Sequence, residues 1–248
     1  MESIKTKGLI IKSSDYGESS RMITVFTEDM GIISAGVFGA HSKKKGLGAS
    51  SRIFTYGEIL LKESQGRLRA EEISVKEGFF PLCEDIVKLA AAVYFADLAY
   101  AAVGTHNKDK GVLRLLLNTI YAMCYNDVDP NTAKTVYELR LAAEGGYLPV
   151  LDICAACSCE PDGELYFDIE RGGILCQNCR RPDSIKINSA VHSALKYILS
   201  ADDKRIFAFK SDEKVTDLLS HISEKYISEH LDRTFKSLDY YKKINPKS

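Results

Sequence analysis

The chain has 248 residues, 45% of them apolar and 27% charged, with a formal net charge of −1 and seven cysteines. That length supports a sizeable core and about two domains, and the composition excludes disordered and fibrous classes. The opening apolar run, Gly8 to Ile11, is too short for a signal peptide, and the stretch Leu89 to Val103 is interrupted by Asp97, so a cytoplasmic protein without a membrane span is expected.

Residues 1–80 read as β structure. Five short runs, Leu9-Ile10-Ile11, Met22 to Phe26, Ile32 to Phe38, Phe54 to Lys62 and Leu68 to Val75, are rich in β-branched and aromatic residues. Asp29-Met30-Gly31 and Ser64-Gln65-Gly66 supply turn chemistry between them, with glycine where positive φ is needed. Five strands in this length predict a small closed barrel, of the OB type or the SH3-like type; periodicity does not choose between them. The stretch Val37 to Ala70 carries seven basic residues against two acidic ones, the strongest local charge in the chain. Within it, Gly39 to Arg52 is a small-residue cationic loop suited to following a phosphate backbone. Phe38, Phe54 and Tyr56 lie nearby, and the core is the expected place for the two phenylalanines.

After Pro81 the apolar period becomes helical: Ile86, Leu89, Val93, Ala96 and Tyr100, then Val112, Leu115, Leu116, Ile120 and Met123. A third helix over Thr132 to Glu144 ends at Gly145-Gly146, with Pro149 beyond. Residues 81–150 are therefore expected to form a helical domain, 151–184 a cysteine-bearing segment, and 185–248 terminal helices packed on the helical domain. In the last part Ser189 is the predicted N-cap of a helix to Leu199, and Glu213 to Tyr241 is helical with a break near His230. The fold class is α+β.

Cys154-Ala-Ala-Cys157 and Cys176-Gln-Asn-Cys179 form two C-x-x-C pairs separated by eighteen residues. A two-residue gap lets both thiolates of a pair face one ion, and two such pairs supply the four soft donors that zinc takes in a tetrahedron. Leu165 to Asp168 and Gly172 to Leu175 read as two short strands between the pairs, as in a zinc ribbon. Cys159 stands close enough to replace Cys157, but the equal spacing of the pairs favours Cys157. Four thiolates leave no open coordination position, so one structural Zn2+ is expected. Phosphate-binding glycine loops, the nucleophile elbow and H-E-x-x-H are missing, and the five histidines have no ligand spacing, so a non-enzymatic protein is expected.

The order of several segments resembles the RecO family of DNA repair and recombination mediators. Gly8 to Lys12 and Asp15-Tyr16-Gly17-Glu18-Ser19-Ser20-Arg21 to Thr24 are similar to its opening strands. Thr27 to Gly31 followed by Gly36 to Ala40 is similar to its second hairpin. Tyr137 to Leu141, with Gly146-Tyr147-Leu148-Pro149 leading into the first cysteine pair, and His230-Leu231 with Lys236-Ser237-Leu238 complete the likeness. Where the family usually has glycine after the second cysteine, this chain has Ser158 and then Cys159.

The resemblance implies an N-terminal OB barrel, a central helical domain and a C-terminal zinc-bearing part. It implies binding of single- and double-stranded DNA, annealing of complementary strands, and help in loading RecA onto strands coated with single-strand-binding protein (SSB). Implied partners are a RecR-type protein, RecF, RecA and the C-terminal tail of SSB, in a nucleoid-associated setting. The candidates for DNA-backbone contact are Lys12, Arg21, Lys43, Lys44, Lys45, Arg52, Arg67 and Arg69, with Arg180 and Arg181 as a second set. The other reading of the same features is a zinc-ribbon protein-interaction scaffold or an RNA-associated OB protein without annealing activity.

Overall fold

The structure, a computed structural model, describes residues 3–16, 19–39, 47–203, 205–209 and 211–245. The chain divides into two compact units, 1–117 and 118–248.

In the first unit, β1 (Ser3–Tyr16), β2 (Ser20–Thr27), β3 (Gly31–Phe38), β4 (Tyr56–Ser64) and β5 (Arg67–Glu77) close into a barrel in the order β1-β2-β3-β5-β4. Pairing of β1 with β4 completes the ring, and β3 with β5 is the one parallel pair. This is the OB-type arrangement, which decides between the two barrels the sequence allowed. Alternation places Ile23, Val25, Ile33, Ala35 and Val37 inside with Ile10, Ile59 and Leu61. Each of the valine, isoleucine and leucine side chains contributes about 1.5–3 kcal/mol by leaving water.

Two turns obey local chemistry. Gln65 and Gly66 both have positive φ (53° and 69°), the requirement of the tight β4–β5 hairpin. Gly31, at φ 70°, has no room for a side chain, because a Cβ there would lie 2.3 Å from the Asn107 carbonyl oxygen. One expectation needs correcting. Phe54 is buried, as predicted, but it is not in a strand: its φ is 61°, and its N–H donates to the Ile10 carbonyl at 2.7 Å, where β1 is bulged.

A short α1 (Leu47–Ser50) precedes β4, and α2 (Pro81–Glu84) leads into α3 (Ile86–Val103). Asp85 caps α3 by accepting from the N–H groups of Val87 and Lys88. The helix is apolar on all sides and half of it is buried. Among the described residues it is the one helix long and apolar enough to cross a membrane by length and composition. Beyond its end, the His106 N–H donates to the Ile32 carbonyl, holding residues 105–106 against β3. Next comes α4 (Lys110–Tyr125).

The second unit begins within α4 and continues with α5 (Pro130–Glu144), capped by Asp129 with proline in its first turn. The cysteine-bearing segment holds β6 (Leu165–Asp168), β7 (Gly173–Cys176) and β8 (Ile185–Ile187) in the order β7-β6-β8. The sequence showed only the first two of these strands. The helices α6 (Ser189–Ser200), α7 (Glu213–Leu231) and α8 (Lys236–Ile244) follow. The cap of α6 is Asn188, not Ser189, since the Asn188 side chain accepts from the Val191 N–H. The expected break near His230 is at Asp232, whose left-handed φ of 46° ends α7. Phe167 of β6 meets the Tyr226 ring of α7 edge-on at 5.7 Å, tying the small sheet to the helices.

Packing between α5 and α7 contains a buried polar cluster. Lys134 donates to Glu138 at 3.2 Å and to the Ser220 hydroxyl at 3.2 Å, and pairs with Glu224 at 3.1 Å. Ser223 donates to Glu138. Full satisfaction of these groups is what makes their burial tolerable.

Candidate nucleic-acid interface and candidate metal centre

On the outward side of β2 and β3 lies a groove of about 730 Å³, bounded by the end of β1, the β4–β5 turn, the start of β5 and the segment after α3. Three of the predicted cations, Arg21, Arg67 and Arg69, line it together with His106, and among the described residues no carboxylate does. The ligand face of OB barrels is this same strand 2–3 surface with the flanking hairpin loops. Exposed Tyr16, Met22 and Phe38 add apolar surface. The Phe38 ring is 47% exposed, which corrects the expectation of a core position. Its place follows from alternation: Ile33, Ala35 and Val37 point inward, so Phe38 points out.

The three arginines are held differently. Arg21 is largely covered; it donates to the Gly48 carbonyl at 3.0 Å and the Ser51 hydroxyl at 3.2 Å and pairs with Asp15 at 3.1 Å. Arg69 lies over the Phe38 ring, 4.6 Å from its centroid, with Glu71 at 3.1 Å. Arg67 is exposed beside the tight turn and makes no ion pair among the described residues.

Of the other candidates, Arg52 is exposed, and Lys12 pairs with Asp97 at 3.3 Å over the Tyr100 ring. Lys43, Lys44 and Lys45 lie outside the described residues. In the second unit, Arg180 donates to the Tyr166 hydroxyl at 3.1 Å, while Arg181 is bound to Glu170 and Asp168 at 2.5 and 3.5 Å. Tyr16 and Tyr100 were missed in the sequence, because their position on the groove arises from barrel closure and from the placement of α3.

The sulfur atoms of Cys154, Cys157, Cys176 and Cys179 all lie within 4.8 Å of one another, so the four can hold a metal ion. Cys157 and Cys176 sulfurs are 3.9 Å apart, close to the ~3.8 Å edge of a tetrahedral thiolate site. Backbone geometry favours the ionised form at the centre. Burial pushes the Cys154 thiol up, but N–H groups of Cys176, Ala156 and Cys157 aimed at it prevail and bring it down to about 6. Hydrogen bonding with Cys157 instead pushes Cys179 and Cys159 up to about 12. Neighbouring thiolates oppose one another's ionisation, and a cation among them removes that opposition.

A barrel with an arginine-lined ligand face, followed by helices and a four-cysteine segment, is matched along the chain by known proteins. Residues 1–79 match the family model for the recombination protein O N terminal, and residues 83–239 the model for its C terminal. The DNA repair protein RecO of Acetivibrio thermocellus is 30% identical over 247 residues, covering 99% of this chain and 98% of its own length. That of Alkaliphilus metalliredigens is 30% identical over 244 residues, with 97% and 99% covered. That of Halalkalibacterium halodurans is 28% identical over 237 residues, with 94% and 92% covered. Both halves of the chain match in order and at full length, and the protein belongs to the RecO family of DNA repair proteins.

Proposed function

We propose that the protein is a recombination mediator that captures DNA in the barrel groove, anneals complementary strands and helps RecA load onto SSB-coated single strands. The observation that carries this is the groove itself: three arginines beside exposed rings on the OB ligand face. Cations there neutralise phosphates whatever the sequence, and Phe38 and Tyr16 offer stacking faces to unpaired bases. Residues 1–80 hold one strand. The second is recruited by other basic residues, Lys43, Lys44, Lys45 and Arg52 in the sequence between β3 and β4, and Arg180 in the 151–184 segment. Nothing in this requires a covalent step: partners are exchanged, not made.

The metal we assign to the four cysteines is one Zn2+, held by Cys154, Cys157, Cys176 and Cys179. Its chemistry there is structural, since four thiolates complete its shell and leave no place for a reacting water. RecR-type, RecF and SSB-tail partners come with the family reading and act on the bound DNA in the same sequence of exchange.

Annealing of complementary oligonucleotides by the purified protein at moderate salt, alone and with a RecR-type partner, is the direct test. Replacing Lys43, Lys44 and Lys45 together with Gln should flatten the slope of log affinity against log salt for single strands by about 2. No annealing, with salt-independent binding, would remove the reading and favour the protein-only scaffold.

A further inference from the structure

Cys159 is the thiol that the four-cysteine cluster leaves over. Its sulfur lies 3.3 Å from that of Cys157, although it is not among the four that converge. The loop that carries both is closed on itself. Ser158 N–H donates to the Cys154 carbonyl at 2.8 Å, and Cys154 N–H donates to the Cys159 carbonyl at 2.9 Å. Ser158 between them is left-handed, at φ 59°, so the backbone turns back and keeps the two thiols side by side. Cys157 and Cys159 are both exposed, whereas Cys154 and Cys176 are buried. An oxidant arriving from water therefore meets this pair first.

We propose that Cys157 and Cys159 form a peroxide-sensitive dithiol on the rim of the metal site, whose closure to a disulfide withdraws one ligand and releases the ion. The release rests on the reading that the cluster holds a metal; the disulfide does not. The Cys157 sulfur attacks hydrogen peroxide, takes one oxygen as its O–O bond breaks, and becomes a sulfenic acid while the other oxygen leaves as water. The Cys159 sulfur then attacks the Cys157 sulfur; the S–S bond forms, the S–O bond breaks, and the departing hydroxide takes the Cys159 proton. Two thiols and one peroxide give one disulfide and two waters. The sulfurs have to approach by only about 1.2 Å to reach bonding distance. Cys154, Cys176 and Cys179 then remain as three donors, and the closed four-thiolate shell of a structural site is lost. A dithiol reductant reverses the step by exchange.

The experiment uses the full chain loaded with zinc and treated with excess hydrogen peroxide. Zinc release is followed with a chromogenic chelator, and the disulfide is located by peptide fragmentation in a mass spectrometer. The expected result is a Cys157–Cys159 bond that forms at the rate of zinc release, both reversed by dithiothreitol. Cys159→Ser should keep its zinc without peroxide and release it at least several-fold more slowly with it. Release at the unmodified rate from that variant, or a bond mapped to another pair, overturns the proposal. Loss of zinc from Cys159→Ser before any peroxide also overturns it, by making Cys159 a ligand. If the chain takes up no zinc, the release falls with the metal reading, and the mapped bond still decides the dithiol.

Discussion

The guanidinium carbon of Arg69 sits 4.6 Å from the centre of the Phe38 ring, a cation stacked on an aromatic that is itself half exposed. The parallel β3–β5 pair makes this contact. It sets Arg69 opposite Gly36, and Gly36 has no side chain to stand where the Phe38 ring lies: a Cβ there would come within 3.2 Å of it. A base held in the groove as proposed would meet a ring already polarised by its neighbour. Phe38→Ala should weaken single-strand binding by about 1–3 kcal/mol, roughly 5- to 150-fold, with the salt dependence unchanged. Fluorescence anisotropy of a labelled oligonucleotide across a salt series checks both.

Arg21 and Arg67 line the same groove but should respond differently to neutralisation. Arg67 is exposed and anchors nothing, so Arg67→Gln should lower the single-strand salt slope by about 0.7 and leave the melting temperature unchanged. Arg21 ties the end of β1 to the segment around Gly48 and Ser51, so Arg21→Gln should also destabilise the fold by about 1–3 kcal/mol. Paired salt titrations and thermal melts of the two variants separate them.

Breaking the buried cluster between α5 and α7 should be costly. Lys134→Ala leaves Glu138 with an uncompensated charge in a fully buried position, and the expected loss is about 3–5 kcal/mol. The double change Lys134→Met with Glu138→Leu should recover much of it, because apolar groups of similar volume fill the space without a lone charge. Denaturant unfolding of the three proteins reports the difference.

Acid stability has a definite sign at Glu224. Burial raises its pKa, but Lys134 and Lys242 outweigh this and hold the carboxyl below its ordinary 4.5. A carboxylate with a depressed folded value adds stability that is fully present above the unfolded value and is lost as pH falls below about 4.5 through the folded one. Glu224→Gln should therefore be less stable at neutral pH and show a flatter loss of stability on the acid side. Unfolding midpoints measured from pH 3 to 7 would expose a parallel curve, which would sink the assignment.

Metal removal should act on one unit and spare the other. The cysteines brace β6 and β7, and Phe167 passes that support to Tyr226 on α7. Chelation should raise amide exchange across 154–187 and along the facing part of α7, with the barrel strands unaffected. Hydrogen exchange by mass spectrometry resolves this, and barrel amides that exchange equally faster would contradict it.

Much of this molecule was legible in the chain alone, wherever the determinant was local. Five runs of β-branched and aromatic residues set the strands, Gly66 the hairpin, and the two C-x-x-C pairs the converging sulfurs. The family likeness was likewise readable from segment order. What the sequence could not carry were relations between distant residues. Barrel closure through the β3–β5 pair chose the OB arrangement and brought Tyr16, Arg21, Phe38, Arg67 and Arg69 onto one groove, because which strands become neighbours is decided by packing and not by periodicity. The left-handed backbone at Phe54, the third strand beside β6, and Lys134 buried against a helix some eighty residues away have the same origin. Local chemistry determined the elements and the spacing of the converging cysteines; only tertiary contact decided which surface carries the charge, and that the spare thiol Cys159 stands against Cys157.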